Sequence, residues 1–279
     1  MQKAATGIII TVCIFLCFGA GAHADDDKKD TSPWSKYGIS AGGMTNASRS
    51  QVRLGAKGLA LGVDLEEFLG LDVNDSSFRV EGYWRFTQNR RHRLDLGWYS
   101  LRRQGSTTIG RPIEIGDLVL PIGTTVNTSF NIDVIKGKYS YSFFQDDRFD
   151  LAFSAGLYVL PIDFEVNATG FLAQGAEEAS ITAPLPLLDL RGDFAVTDNF
   201  FLLSSFEIFY LEIGDYRGGI FDGSIGGEYK FSDNFGLGLS VQHFDIRVEA
   251  NGNDFPGVDF IGRIGYTFQG LMAYIKLYF

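Results

Sequence analysis

The chain has 279 residues with 34 acidic and 24 basic side chains, a formal net charge of −10, 25 Phe, 12 Tyr and 34 Gly. An acidic chain has no electrostatic basis for binding nucleic acid, and no apolar stretch approaches the roughly 18 residues of a transmembrane helix. A mean hydropathy near zero with so many aromatics and glycines suits alternating strands and tight turns better than amphipathic helices.

In chain order, residues 1–24 read as a cleaved secretory leader. Lys3 supplies the positive start, Ile8 to Phe18 the short apolar run, and Ala22-His23-Ala24 the small-residue cleavage site. Both cysteines, Cys13 and Cys17, lie inside this leader, so the mature chain is expected to have no disulfide and no cysteine metal site. Residues 25–50 read as a lead segment, charged and polar from Asp25 to Pro33. The rest, 51–279, reads as strands.

Those strands are expected near Val52 to Leu65, Ser77 to Thr87, His92 to Arg103, Thr125 to Phe144, Phe149 to Glu165, Ser180 to Val196, Phe200 to Ile213, Ile220 to Phe231, Phe235 to Glu249 and Val258 to Phe279. Four connections are short and polar, at Gln88 to Arg91, Gln145 to Arg148, Thr197 to Asn199 and Ser232 to Asn234. The others are longer, around Glu66 to Ser76, Gln104 to Thr124, Asn167 to Ser180, Gly214 to Gly219 and Ala250 to Pro256. Tyr37, Ile39 and Ala41 form a further short alternating piece, so twelve strands is the alternative to ten. The apolar phase changes at Gly270, from Phe260, Ile264, Tyr266 and Phe268 on even positions to Leu271 through Phe279 on odd ones. A β-bulge there would account for it.

The last nine residues place Leu271, Ala273, Ile275, Leu277 and Phe279 on one face of a strand and Met272, Tyr274, Lys276 and Tyr278 on the other. This ending resembles the terminal strand of bacterial outer-membrane β-barrels, with Tyr274 where that class usually has Gly. The piece Val63 to Asp72 also resembles an acidic segment found after the first strand of several such barrels. The resemblance, which runs from about Gln51 to Phe279, implies an all-β transmembrane antiparallel up-and-down barrel of ten strands, within a range of eight to twelve. It further implies a place in the outer membrane after export to the periplasm, contact with lipid and lipopolysaccharide, and an assembly signal at Tyr274, Leu277 and Phe279 read by the barrel-assembly machinery. The short turns and the lead segment 25–50 would then be periplasmic.

Continuing the strand phase inward from the apolar face predicts a lumen lined by Arg79, Glu81, Arg85, Arg93, Asp95, Lys136, Lys138, Asp150, Asp189, Arg191, Asp193, Glu228, Lys230 and Lys276. Eight are cations and six are acids. The reading preferred from this near-balance is an interior plugged by paired charges, in a barrel with a structural or loop-mediated role at the cell surface. The alternative is a narrow, porin-like channel. Outward aromatics at Trp84, Phe86, Tyr141, Phe143, Phe149, Phe194, Tyr229, Phe231 and Phe235 fit a headgroup-level girdle beside the short turns.

Catalysis is not expected. The mature chain has only His92 and His243, and a lipid-modifying hydrolase would rest on His243 as base, with Ser240 and Asp245 nearby in sequence. No cofactor and no metal centre are expected. The acidic loop residues Asp64, Glu66, Glu67, Asp72, Asp75, Glu177 and Glu178 read as solvated surface, with divalent-cation binding beside lipopolysaccharide the alternative. The sequence names no protein partner.

Overall fold

The computed structural model describes residues 32–279 apart from 55–62, 65, 67–68, 111, 116–117, 170–173, 215 and 251–261. The leader, its cleavage site and the first part of the lead segment lie outside the described residues. Ten long strands follow one another: β1 (Tyr37–Leu54), β2 (Asn74–Arg85), β3 (His92–Thr108), β4 (Thr125–Gln145), β5 (Phe149–Thr169), β6 (Gln174–Ala195), β7 (Phe200–Ile213), β8 (Tyr216–Lys230), β9 (Phe235–Ala250) and β10 (Gly262–Tyr278). Each pairs antiparallel with the next. β10 returns to β1, from Gly38↔Tyr278 to Leu54↔Gly262, and closes the barrel. Closure removes the sheet edge, and with it the unpaired N–H and C=O groups that hydrocarbon cannot solvate.

The count of ten stands and the twelve-strand alternative falls, but the first strand is not where the sequence pattern puts it. The barrel begins at Tyr37, inside the segment assigned to the lead, and β1 pairs with β2 from Tyr37 to Ala47 and with β10 from Gly38 to Leu54. Its signal is weak because its inward positions include Ser40, Asn46, Ser48 and Ser50, while beyond Ile39 its outward positions are small or polar, at Ala41, Gly43, Thr45, Ala47 and Arg49. Of the expected strand Val52 to Leu65, residues 52–54 close β1 and Val63–Asp64 form a two-residue strand beside it. The expected loop Asn167 to Ser180 is also corrected. β5 and β6 stay paired out to Thr169↔Gln174 as one long hairpin, and small or acidic residues such as Ala176, Glu177 and Glu178 hide the alternation.

There is no bulge at Gly270. β10 keeps one register with β1 and β9 through that residue. Tyr266, Phe268 and Met272 all face inward, and Leu271 and Ile275 outward. What changes along β10 is the chemistry of the interior, not the strand phase. Gly270 leaves room for the Asn46 and Met44 side chains, since a Cβ there would stand 2.5 Å from Asn46 Oδ1 and 3.0 Å from Met44 Sδ. The actual irregularity lies in β4 between Ser142 and Phe144, where Phe143 and Phe144 are both exposed.

Three of the four short turns share one device. Phe149 N–H donates to Asp146 Oδ1 at 2.7 Å, Phe200 N–H to Thr197 Oγ1 at 3.0 Å, and Phe235 N–H to Ser232 Oγ at 3.1 Å. A side-chain acceptor three residues before a Phe thus sets each hairpin reversal. The Phe149 and Arg148 backbone N–H groups hold the Asp146 carboxyl below the usual aspartate range. Phe149 and Phe194 stack with centroids 4.6 Å apart at this rim, and Phe231 stacks on Phe235. Further along the strands the outer surface is apolar, with Leu96, Ile208, Leu239 and Ile275 among its most exposed side chains.

Candidate functional site in the barrel interior

The interior has two storeys. At the short-turn end, inward positions carry charge because each strand alternates between the apolar outer wall and the inside. Eight cations gather there: Arg79, Arg85, Arg93, Lys136, Lys138, Arg191, Lys230 and Lys276. Eight carboxylates face them: Glu81, Asp95, Asp150, Asp189, Asp193, Glu207, Asp222 and Glu228. Every residue of the expected lumen set points inward. Glu207 and Asp222 escaped the sequence reading, although each is a lone acid beside apolar strand neighbours, Phe206 and Ile208 or Phe221.

Seven of these cations match seven of the carboxylates. Arg79 Nη2 lies 2.5 Å from Glu81 Oε1, Arg85 Nη2 2.6 Å from Asp150 Oδ2, and Arg93 Nη2 2.5 Å from Asp95 Oδ1. Lys136 reaches Glu207 at 3.1 Å, Lys138 reaches Asp189 at 2.7 Å, Arg191 pairs with Asp193, and Lys276 reaches Glu228 at 3.0 Å. Cross-links join the pairs. Arg191 also reaches Asp150 at 3.0 Å, and Lys138 reaches Glu207 at 2.7 Å. Tyr274 and Tyr278 donate their hydroxyls to Glu228. Such pairing offsets the several kcal/mol that desolvating each ion costs. A cavity of about 160 Å³ remains among these side chains, bordered by Glu81, Lys136, Glu207 and Asp222. It is smaller than the roughly 300 to 1,000 Å³ of typical ligand pockets.

Toward the long-loop end the inward positions turn apolar. Tyr99, Phe130, Ile132, Val134, Leu160, Phe244, Tyr266 and Phe268 fill that part of the barrel, and Phe244 stacks on Phe268 with centroids 5.2 Å apart. Leu69 and Leu71, from the connection after β1, are buried in the same cluster. Glu66 comes from that connection too. It accepts from Ser50 N–H at 2.8 Å and pairs with Arg103 at 2.7 Å, so it is a structural strut rather than solvated surface. The side chains of Asp64, Glu67, Glu177 and Glu178 lie outside the described residues, as do Phe260 and the Ile264 side chain.

At the opposite mouth stands Trp34, which sequence reading placed in no site. It is 6% exposed and clusters with Ala195 and Phe201. Its Nε1 donates to the Asp146 carbonyl at 2.7 Å, and its own carbonyl accepts from Arg90 Nη1 at 2.5 Å. Pro33, Trp34 and Ser35 thus lie at the end of the charged storey, beside Arg85, Glu228 and Lys276.

The histidines stand apart from all this. His92 hydrogen-bonds Tyr139 at 2.6 Å among outward aromatics near the short turns. His243 faces outward against Phe221, whereas Ser240 borders the inner cavity. The strand wall therefore separates the two. Among the described residues no three His, Cys, Asp or Glu side chains group as metal ligands.

This geometry, a closed ten-strand antiparallel barrel with an apolar outer wall and a filled interior, can be set beside known structures. The outer-membrane protease OmpT from Escherichia coli superimposes with a TM-score of 0.55 at 13% identity, over 87% of this chain and 96% of that one. The fold is that of a bacterial outer-membrane β-barrel. Fainter likenesses to such barrels are the translocator domain of autotransporter NalP from Neisseria meningitidis (TM-score 0.39, 10% identity, 87% of this chain and 88% of that) and the attachment invasion locus protein Ail of Yersinia pestis (0.34, 12%, 86% and 98%). No family model matches the sequence, and neither does any curated protein. Within an outer-membrane barrel fold this interior has two parts, ionic toward the short turns and apolar toward the long connections.

Proposed function

We propose that this protein resides in the outer membrane as a closed, non-catalytic barrel whose role is structural or is carried by the long connections at its outer rim. The observation that carries the reading is the filled interior, with seven ion pairs, an apolar storey beyond them and Trp34 across the other mouth. A conducting barrel keeps a continuous aqueous path lined by groups that leave an ion free to move on. Here charged groups spend their hydrogen bonds on one another. The apolar outer wall and the aromatic rim support residence in lipid with the short turns on the periplasmic side, lipopolysaccharide around the outer end, and delivery by the barrel-assembly machinery through the ending Tyr274, Leu277 and Phe279. Export on the residue 1–24 leader belongs to the same proposal. The non-catalytic part rests on His243 and Ser240 lying on opposite faces of β9.

Liposome swelling tests the closed state. Vesicles carrying the refolded protein should swell in sugar or salt no faster than empty ones, and fast, size-dependent swelling would favour the narrow channel.

A further inference from the structure

Of the eight carboxylates in the ionic storey, Asp222 alone has no cation within ion-pair distance among the described residues. It is 4% exposed. Lys230 is the one cation left without a carboxylate, but it sits over the Tyr278 ring at the far end of the same strand. Eight residues of strand put them about 26 Å apart, so they cannot neutralise each other.

What Asp222 does touch sets its chemistry. Gln242 Nε2 donates to Asp222 Oδ1 at 2.7 Å, and that amide is oriented by Arg79, which donates to Gln242 Oε1 at 2.6 Å. Asp222 Oδ2 lies 3.0 Å from the Tyr158 hydroxyl, which also hydrogen-bonds Glu207 Oε2. Tyr158 has one proton to give and stands between two carboxylates. Glu207 is the ionised partner, because Lys136 and Lys138 both reach its other oxygen. Tyr158 therefore donates to Glu207, and its oxygen can only accept from Asp222.

We infer that Asp222 is a proton-binding site: it is held in the barrel as the neutral carboxylic acid and donates to Tyr158, completing a chain Asp222 O–H to Tyr158 O–H to the Glu207 carboxylate. Tyr158 on β5 and Gln242 on β9 are its hydrogen-bonding partners, Glu207 on β7 pairs opposite it, and Tyr99 on β3 stands near. Two cations face it, Arg79 on β2 behind Gln242 and Lys136 on β4, and both are held at ion-pair distance by Glu81 or Glu207 rather than by Asp222. The Phe244 backbone pairs opposite Asp222, so the acid marks the level where the ionic storey meets the apolar one. An ionised carboxylate there would face an oxygen lone pair and an aromatic floor. The inference does not depend on whether the barrel conducts.

The test combines infrared spectroscopy with stability. The refolded wild-type protein at neutral pH should show the carbonyl stretch of a buried protonated carboxylic acid. Asp222→Asn should remove that band, and Tyr158→Phe should shift it. Because an amide mimics the neutral acid, Asp222→Asn should keep the wild-type unfolding temperature, whereas Asp189→Asn, which takes a carboxylate from Lys138, should lower it. Either of two results would overturn the inference: no such band that depends on Asp222, or an Asp222→Asn variant destabilised as much as Asp189→Asn or unable to fold.

Discussion

The Tyr274 ring lies over the backbone of Gly238 on the adjacent strand so closely that a Cβ added there would strike the ring. On its other side Tyr274 faces Gly42 of β1, which has no room for a Cβ either. These two glycines let an aromatic residue enter a narrow barrel and donate its hydroxyl to Glu228 at 2.9 Å. Gly238→Ala should therefore displace the ring and destabilise the barrel by about 1 to 3 kcal/mol, the usual range for overpacking. Tyr274→Phe, which keeps the ring and loses the hydrogen bond to a charged acceptor, should cost about 1.5 to 3 kcal/mol. Denaturant unfolding of protein refolded into vesicles measures both.

Arg191 links Asp150 and Asp193 and is almost fully buried. Its removal leaves two carboxylates sharing what Arg85 and Arg93 supply. Arg191→Ala is expected to lose roughly 3 to 5 kcal/mol of stability, as breaking one side of a buried ion pair does. A channel lining would respond differently, with stability kept and ion preference altered, so measuring both in the same variant separates the two accounts.

The strand number, the two kinds of rim and the inward charges were legible because they follow from period-two alternation and turn chemistry. Asp146, Thr197 and Ser232 each announce a reversal three residues before a Phe. The apolar storey was not legible. Phe130, Tyr266 and Phe268 look like lipid-facing residues to any rule that equates apolar with outward, and here they face inward. The same rule produced the supposed bulge at Gly270 and saw only the two ends of β1, Tyr37 to Ala41 and Val52 to Leu54, because its middle is mostly polar or small. Trp34 was missed because nothing local distinguishes a docked tryptophan from one in a tail. Glu207 and Asp222 were missed because each stands apart from the next acid of its strand, Glu212 or Glu228, without the cluster that makes a charged face visible.

The outer wall gives a prediction of its own. Leu96, Leu239 and Ile275 are 71%, 59% and 54% exposed on the apolar belt. Arg at these positions should destabilise the inserted barrel by about 2 to 4 kcal/mol where the residue lies near the bilayer midplane, and less toward either interface. Folding into vesicles, followed by heat-dependent mobility on gels, would show it. Small, equal effects at all three would mean that this wall does not face lipid.

Trp34 should control access to the ionic storey from its own mouth. Ser205 borders the cavity, and a Ser205→Cys reporter should react slowly with a water-soluble maleimide in the otherwise unchanged barrel. Adding Trp34→Ala should raise the labelling rate markedly while far-UV circular dichroism stays the same. Equal rates with and without Trp34 would show that the tryptophan closes nothing.

The filled interior is most directly tested by single-channel recording of the refolded wild-type protein in a planar bilayer. The two-storey interior predicts insertion without steady conductance steps at moderate voltage. Stable, ohmic openings from the wild-type barrel would contradict it, because ions would then be crossing both the paired charges and the aromatic floor above them.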